Sequence, residues 1–420
     1  MRARSQGVSY CMTVFIADTS SLKNRSLMLA FATSPYIITT WVGGPVSNSI
    51  VQGPGWRWGF GIFSIIVPVV VSPLCALFFW NNRKARKAGL LPAKRRSFNI
   101  GTIKQYAVEV DLGGITILAA GMALFLLPFS IWSYQAEQWK STMIICMIIF
   151  GGVLLIVFAL YEKYLAPVTF IPFELLTDRT VLFGAVYFFF IFFGSAIWSS
   201  YFFSMCQVVY GLNITEASYV SNIYRVGSCF FALIVGVLIR WTGRFKWLAV
   251  YFAVPLMMLS TGLMIHFRQP GTNIGYIIMT QIFNSFAGGT IVICGEMAMM
   301  APSDHQHIAV IIAVLNLFSS VGSACGSTVS AAIWTSKFRS ALKEHLPPGA
   351  NFERIYGSLI SQMINRPGTP TREAINRSYG DAQRYMLITS TCLFVGALVS
   401  AALWRDIRIK SITQVRGRVV

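Results

Sequence analysis

The sequence predicts an all-α protein whose helices cross a lipid bilayer about ten times. Hydrophobic residues make up 55% of the 420 residues, charged residues make up only 12%, and the mean hydropathy is +0.62. A soluble domain carries about 25% charged residues, so this chain has too little polar surface for a water-soluble fold of its size. Apolar runs of about 20 residues, the length that crosses a bilayer core of roughly 30 Å, recur along the chain. Because lipid offers the backbone no hydrogen-bond partners, each run is predicted to form a helix.

The ten apolar runs that are long enough to span lie at residues 27–50, 58–80, 112–132, 142–162, 180–206, 217–239, 247–266, 276–297, 309–335 and 385–404. An earlier apolar stretch at 7–17 is too short to span and is interpreted as the end of a helix whose beginning is missing. Lys and Arg concentrate on the cytoplasmic side of membrane proteins. With both termini inside, the inner segments carry 22 of these residues and the outer segments 11, eight of them in one long outer loop at 336–384. Both termini are therefore predicted to be cytoplasmic.

The formal net charge of +19 does not indicate nucleic-acid binding, because the basic residues lie between the apolar runs and not on a soluble module. The eight cysteines lie in or beside the runs and lack the paired spacing of zinc sites. No cluster of cysteines or carboxylates completes a metal site around His305 and His307. The sequence therefore predicts no metal, no cofactor and, without a nucleophile–base pair, no enzyme.

A tight basic turn follows the sixth run and reads Gly236-Val-Leu-Ile-Arg240-Trp-Thr-Gly243-Arg244-Phe-Lys246. Gly243 permits the turn, and the cations hold it on the cytoplasmic side. The turn resembles the G-x-L-x-D-R-x-G-R-x-K loop of the major facilitator superfamily, which joins the second and third helices of each six-helix half. Arg240 stands where that family usually has Asp.

This resemblance implies a major facilitator fold of which the chain holds about ten of an expected 14 transmembrane helices. The implied domains are a remnant of the N-terminal half with the end of helix 4 and helices 5 and 6 (1–80), a basic cytoplasmic loop (81–110), two linker helices (111–178) and a C-terminal six-helix half (179–420) that contains the outer loop 336–384. With part of one half missing, the chain alone is predicted not to transport.

Several further stretches follow the pattern of one branch of the superfamily. They are Ala17-Asp-Thr-Ser-Ser-Leu-Lys-Asn-Arg25, Gly55-Trp-Arg-Trp-Gly59, Ile214-Thr-Glu-Ala-Ser-Tyr219, Ile265-His-Phe-Arg-Gln-Pro270, His305-Gln-His307, Ala331-Ala-Ile-Trp-Thr335 and Ile355-Tyr-Gly357. Together they resemble the fungal siderophore–iron transporters over nearly the whole chain. The resemblance implies uptake of ferric siderophores by proton symport, or exchange of glutathione for protons as in some members. It also implies that the long outer loop contacts the siderophore.

Two positions depart from that family's pattern and bear on proton coupling. Ser199 stands where the family often has Asp, in a Trp-Asp-x-Tyr motif. Gly295 stands where the family often has Glu, and Glu296 follows it. A membrane-buried acid is a natural proton carrier, because burial favours its protonated form. One acid is therefore lost and a second is shifted by one position.

Arg225 and Glu296 are the charged candidates for the transport path. Charges inside a span are costly and usually face inward. Arg225 is predicted to hold an anionic substrate or to pair with Glu296, with snorkelling to the outer surface as the alternative. Glu296 lies near the inner end of its span and is predicted to be either a proton site or a solvated helix end.

The other candidates for the substrate and proton path are polar or aromatic side chains in or next to a span: Asn222, Tyr224, Asn284, Asn316, Trp198, Tyr201 and Tyr356. The polar ones are predicted either to hydrogen-bond between helices or to line the path. The aromatic ones are predicted either to pack in the core and against lipid or to line a cavity for a bulky organic ligand.

The predicted function is secondary active transport, with proton-coupled uptake of ferric siderophores by alternating access between two halves. The alternatives are proton-coupled export of glutathione, a toxin or a drug, and a non-functional truncated product. The sequence contains no Walker motif, which would indicate ATP-driven pumping. The predicted partners are a small-molecule substrate, protons and the lipid bilayer, without nucleic acid. The predicted location is the plasma membrane or an endosomal or vacuolar membrane, crossed several times.

Overall fold

The computed structural model describes residues 2–89, 108, 111–131, 135, 138–165, 178–303 and 308–412, which fold into a bundle of helices. Most of the basic loop predicted at 81–110 lies outside the described residues, as do His305 and His307.

The first part of the chain forms four helices: α1 (Arg2–Thr19), α2 (Leu22–Thr33), α3 (Tyr36–Gln52) and α4 (Trp56–Lys87). The corner between α1 and α2 is fixed by Arg25, which is fully buried and donates through Nη2 to the Ala17 carbonyl at 2.9 Å. This bond satisfies one of the carbonyls that the end of a helix leaves without a partner. Helices α2 and α3 follow one another as one apolar rod that is kinked at Pro35.

The next two helices, α5 (Leu112–Ile131) and α6 (Thr142–Tyr164), form an antiparallel pair. They approach closely at Gly151, where the backbone of Phe125 leaves no room for a Cβ atom. Near their other ends the Tyr161 hydroxyl donates to the Asp111 carboxylate at 3.0 Å. Small residues and a polar contact between helices are the usual means of helix association in lipid.

The remaining large helices form the main bundle: α7 (Arg179–Ser199), α8 (Phe202–Val208), α9 (Ile214–Thr242), α10 (Lys246–Phe267), α11 (Ile274–Met300), α12 (Ile308–Ile333) and α16 (Pro370–Ala402). Helix α9 begins at a capping box, in which Asn213 and Glu216 each accept the other's backbone N–H. It ends at Gly243, whose φ of 73° lies in the left-handed region that glycine adopts without strain.

Within the described part of the chain, nine helical segments are long and apolar enough to cross a membrane, and α5 adds a shorter apolar stretch at Leu112–Pro128. Each of the ten predicted runs overlaps one of these segments. The chain is thus an all-α, multi-pass integral membrane protein.

The segment before the last span differs from the predicted long loop. It contains a π-helical turn (Trp334–Phe338) and the short helices α13 (Arg339–His345), α14 (Phe352–Gly357) and α15 (Leu359–Ile364). Residues 334–369 are called the outer cap below. The last span was predicted to begin at 385, but α16 begins at Pro370, behind the N-cap Thr369. Its first four turns are polar, so an apolar pattern alone does not reveal them.

The inner ends of the main bundle are joined by the residues that follow α16. The Gly243 carbonyl accepts from the Ile409 backbone N–H at 3.0 Å, and Lys246 Nζ donates to the Trp404 carbonyl at 2.6 Å. Arg405 pairs with Asp178, the N-cap of α7, at 3.2 Å. These contacts hold the inner ends of α7, α9 and α16 together.

Candidate functional site

A break in the rod formed by α7 and α8 is the most unusual feature of the outer half. The apolar run predicted at 180–206 is continuous in sequence, but the helix stops at Ser199 and restarts at Phe202. Tyr201 has a φ of 57°, in the left-handed region that non-glycine residues seldom occupy. In the predicted orientation, and at about 1.5 Å per residue from Arg179, the break lies near the outer surface of the bilayer.

Side chains from three other helices hold this break. Arg268, just after α10, donates through Nη1 to the Trp198 carbonyl at 2.7 Å. Gln383 of α16 donates to the Ser200 carbonyl at 3.2 Å, and Ser330 of α12 donates to the Ser200 hydroxyl at 2.9 Å. The backbone groups that a continuous helix would pair internally are therefore paired from outside, which lipid requires of any irregular backbone.

Arg268 is fully buried, yet no described carboxylate forms an ion pair with it. Its guanidinium lies 4.0 Å from the centre of the Phe202 ring, in a cation–π contact. Within the described residues its Nε and Nη2 atoms have no hydrogen-bond partner. Burial lowers the pKa of Arg268 to about 10, so the side chain stays protonated at neutral pH.

An aromatic ladder leads from the break into the outer cap. The ring of Tyr201 stacks on Trp334, with centroids 4.1 Å apart, and Trp334 stacks on Phe338 at 4.2 Å. Phe338 is followed by Tyr356 at 6.2 Å and Tyr356 by Phe352 at 5.8 Å. These five rings are called the aromatic ladder below.

Cations flank the outer end of the ladder. Arg339 lies 5.7 Å from the centre of the Tyr356 ring and 5.9 Å from that of Phe352, and it pairs with Glu353 at 3.7 Å. Lys343 lies 5.4 Å from the Phe352 ring. The predicted candidates Tyr201 and Tyr356 are thus joined through Phe338, which is fully buried in the apolar core of the outer cap, and cations lie beside the outer end of this cluster.

The outer cap is fastened to the bundle by Arg372, which is 4% exposed. Its Nη1 donates to the carbonyls of Gln362 and Asn365 at 2.7 and 3.2 Å, and its Nη2 donates to the Val208 carbonyl at 2.5 Å. One side chain therefore ties α15 and the end of α8 to α16.

A seam between α9 and the α2–α3 rod contains a second group of candidates. At its ends, small residues allow close approach: a Cβ atom on Gly44 would lie 3.3 Å from Ser218 Cβ, and one on Gly236 would lie 3.0 Å from Leu27 Cα. Leu27, near the start of the α2–α3 rod, contacts the end of α9, and Gly44, later in the rod, contacts the start of α9. The rod and α9 are therefore antiparallel. This contact surface is called the seam below.

Arg225 lies midway along the seam and is exposed. Its Cζ atom lies 5.9 Å from the centre of the Tyr36 ring, which belongs to α3 on the other side of the seam. The proposed pairing with Glu296 is not formed, since no described carboxylate lies within ion-pair distance of Arg225. Arg225 and Glu296 therefore do not make one site in this structure.

Glu296 lies near the inner end of α11 and is partly buried, without an ion-pair partner among the described residues. The preceding Gly295 is packed against aromatic rings: a Cβ atom there would lie 2.7 Å from the Phe188 ring and 3.0 Å from the Tyr187 ring. No side chain fits at position 295 without displacing them. This packing gives a physical reason why position 295 carries Gly while position 296 carries the acid.

The other candidates make different kinds of contact. The Asn284 carbonyl oxygen Oδ1 accepts from Ser260 Oγ at 3.0 Å, a hydrogen bond between α11 and α10. Asn222 donates back to the Ser218 carbonyl of its own helix at 2.8 Å. The Tyr224 ring packs edge-on against Trp198, with centroids 5.2 Å apart. Asn316 is half-buried in α12.

Sequence reasoning missed Tyr36, Arg268, Arg372 and Gln383. Arg268 and Arg372 lie in segments that the hydropathy pattern assigns to loops, where a basic residue is read as a solvated charge. Tyr36 becomes a candidate only when its contact with Arg225 is known.

Comparison with known proteins agrees with this architecture. The family model of the Major Facilitator Superfamily matches residues 6–327. The MFS siderochrome iron transporter 1 of Ajellomyces capsulatus is 55% identical over 417 residues, which cover 99% of this chain and 71% of the relative. The MFS siderochrome iron transporter D of Aspergillus fumigatus is 45% identical, covering 98% and 69% of the two chains.

A third relative, the siderophore iron transporter mirB of Emericella nidulans, is 38% identical over 98% of this chain and 69% of its own length. The matched segments cover nearly the whole chain, so the broken helix, the outer cap and the seam lie within them. The chain therefore belongs to the major facilitator superfamily and, within it, to the family of these siderochrome and siderophore iron transporters.

Proposed function

We propose that this chain acts in a secondary transporter that takes up ferric siderophores in symport with protons. The observation that carries the proposal is the aromatic ladder, which joins the outer cap to the break between α7 and α8. A ferric siderophore is a bulky organic complex, and the partly exposed rings of Tyr201, Phe352 and Tyr356 at the two ends of the ladder offer such a ligand a contact with little loss of side-chain entropy. The names of the relatives point to the same substrate class.

In this proposal the outer cap receives the ferric complex, and the ladder links the cap to the bundle. The break at Tyr201 lets the outer end of the α7–α8 rod move without disrupting the rest of α7. The seam is the surface along which the two sides of the protein rock during alternating access. The inner contacts of Gly243, Lys246 and Asp178 close the opposite end of the bundle.

Glu296 is proposed as the proton carrier. It is partly buried in α11, and no described cation neutralises it. Ser199, at the position where the family often has Asp, cannot take this role: it is a hydroxyl that donates to the Ser195 carbonyl of its own helix at 2.6 Å. The proposal assigns no enzyme activity to the chain and places it in the plasma membrane or an endosomal or vacuolar membrane.

Binding tests the substrate class. The purified chain in lipid nanodiscs is incubated with a ⁵⁵Fe-labelled tris-hydroxamate siderophore and displaced with the unlabelled complex. We expect saturable binding that the iron-free siderophore, glutathione and common drugs do not displace. Displacement by glutathione or by a drug, or no saturable binding while the 55%-identical relative binds under the same conditions, would overturn the proposal.

Transport measurements in vesicles test the direction of substrate movement and its coupling to protons. Proteoliposomes that contain either the chain or its relative are given an inward proton gradient and the labelled complex outside. Uptake that a protonophore abolishes supports symport, whereas release of internal substrate against an inward proton flow supports export by exchange.

A further inference from the structure

The contact between Arg225 and Tyr36 lies deep in the membrane. Arg225 is eight residues beyond the start of the apolar run at 217–239. At about 1.5 Å per residue this places it roughly 12 Å from the outer end of that run, close to the midplane of a bilayer core of about 30 Å. Tyr36 is the first residue of α3, directly after the kink at Pro35. Transporters of this general type bind their substrates near the midplane and beside interrupted helices.

Among the described residues, no carboxylate compensates the charge of Arg225. No described Asp or Glu lies within ion-pair distance of it, and the ring of Tyr36 at 5.9 Å is its one cation–π contact in the described residues. Such a contact at an exposed side chain is weaker than the cost of holding a cation at the centre of a bilayer. A bound anion would supply the missing compensation, because a guanidinium donates two parallel hydrogen bonds to a carboxylate or a similar planar oxyanion.

Both side chains are accessible to such a ligand, since Arg225 is exposed and Tyr36 is 48% exposed. They also come from opposite sides of the seam. A ligand that contacts both would therefore be held by the two parts of the protein that move relative to each other in alternating access.

We infer that Arg225 and Tyr36 form a midplane subsite that favours ferric complexes with net negative charge. The inference rests on the proposed function and adds to it the charge class of the substrate. Three hydroxamates neutralise Fe(III), whereas three catecholates, or hydroxamates accompanied by a free carboxylate, leave the complex negative. The subsite favours the complexes that remain negative.

The competing explanation is that Arg225 reaches a lipid phosphate at the outer surface. Long basic side chains do so when they lie near a helix end. A lipid contact predicts that Arg225→Gln changes the affinities for neutral and anionic complexes equally or not at all, whereas a substrate subsite predicts a selective loss.

The test is equilibrium binding of two iron-labelled complexes to the purified chain in zwitterionic phosphatidylcholine nanodiscs. One complex is a neutral tris-hydroxamate and the other an anionic tris-catecholate. We expect Arg225→Gln to weaken binding of the anionic complex about tenfold or more, the loss of one charge-assisted hydrogen bond. Binding of the neutral complex changes by less than about twofold. Tyr36→Leu shows the same selectivity with a smaller loss, since it removes the ring and leaves the charge.

Arg240→Gln is the matched control, because Arg240 is an exposed cation on the same helix at its inner end. It should change neither affinity. Equal losses for both complexes in Arg225→Gln, with an unchanged circular dichroism spectrum, would overturn the inference and leave the proposed function standing. So would unchanged affinities for both complexes in Arg225→Gln. Failure of the wild-type chain to bind either complex would overturn the proposed function and the inference with it.

Discussion

The ring of Tyr201 lies parallel to that of Trp334, with an interplanar angle of 8° and a centroid distance of 4.1 Å. One residue belongs to a break in a membrane helix and the other to the first turn of the outer cap. The stack is therefore one of the points at which the cap and the bundle meet. Movement of the cap on ligand binding reaches the α7–α8 rod through this pair and through α15, which Arg372 ties to the end of α8.

Replacing Trp334 by alanine is expected to loosen the outer cap. The substitution removes ring contacts with Tyr201, Phe338 and Tyr379. Truncation of a packed aromatic side chain costs about 3 kcal/mol. We expect faster proteolysis within 334–369 and weaker binding of the ferric complex. Trp241→Ala is the control, since Trp241 is 71% exposed at the inner end of α9; equal protease sensitivity in the two variants would contradict the prediction.

Arg268→Met is expected to weaken substrate binding about tenfold with little loss of stability. The substitution leaves the Trp198 carbonyl without its donor, which costs about 1–3 kcal/mol. It also removes a buried charge that no described carboxylate pairs, and this relieves a cost of several kcal/mol. The two effects shift the thermal midpoint in opposite directions. The break between α7 and α8 loses the hydrogen bond from Arg268, and this is why binding is expected to weaken. A lowered midpoint with unchanged binding would show that Arg268 serves stability alone.

Arg372→Met is expected to lower the stability of the protein more than Arg268→Met does. This guanidinium donates to three carbonyls and has no comparable unpaired groups. Its loss leaves buried acceptors in α15 and at the end of α8, and we expect the free energy of unfolding to fall by about 3 kcal/mol. The thermal midpoint measured beside that of Arg268→Met gives the comparison. A smaller loss for Arg372→Met than for Arg268→Met would refute the distinction.

The spans and the fold class could be predicted because a bilayer requires long apolar helices, and such helices can be recognised from the local sequence. The break at Tyr201 could not be predicted in this way. It lies inside an apolar run and is created by Arg268, Ser330 and Gln383, which are distant in sequence. The left-handed conformation of Tyr201 has no local signal, since glycine and asparagine are the residues that usually mark it.

The outer start of α16 was missed for a related reason. A membrane pattern reports apolar residues, and the first turns of this helix are polar. Their capping signal, Thr369 followed by Pro370, was present in the sequence and could have located the helix start. The contact between Arg225 and Tyr36 joins two separate helices and needs the tertiary structure.

Gly295→Ala tests why this chain departs from its family at that position. The added methyl would lie 2.7 Å from the Phe188 ring, a distance that real Cβ contacts do not reach. Overpacking of this kind costs about 1–3 kcal/mol. Gly262→Ala is the control within a helix, since nothing lies within 4 Å of its Cβ position, and we expect it to be neutral or slightly stabilising. Equal thermal midpoints for the two variants would mean that the rings move aside without cost.

Glu296→Gln is expected to uncouple substrate movement from the proton gradient. Glutamine matches the shape of the protonated acid but cannot release a proton, so binding of the ferric complex should change by less than about twofold, whereas proton-driven accumulation in vesicles should be lost. Exchange of labelled for unlabelled substrate without a gradient should persist, because it needs no change of protonation. Glu344→Gln, at an exposed acid of the outer cap, should leave both measurements unchanged. Gradient-driven accumulation that survives in Glu296→Gln would assign proton coupling to another group, and loss of exchange together with accumulation would give Glu296 a role in binding or folding instead.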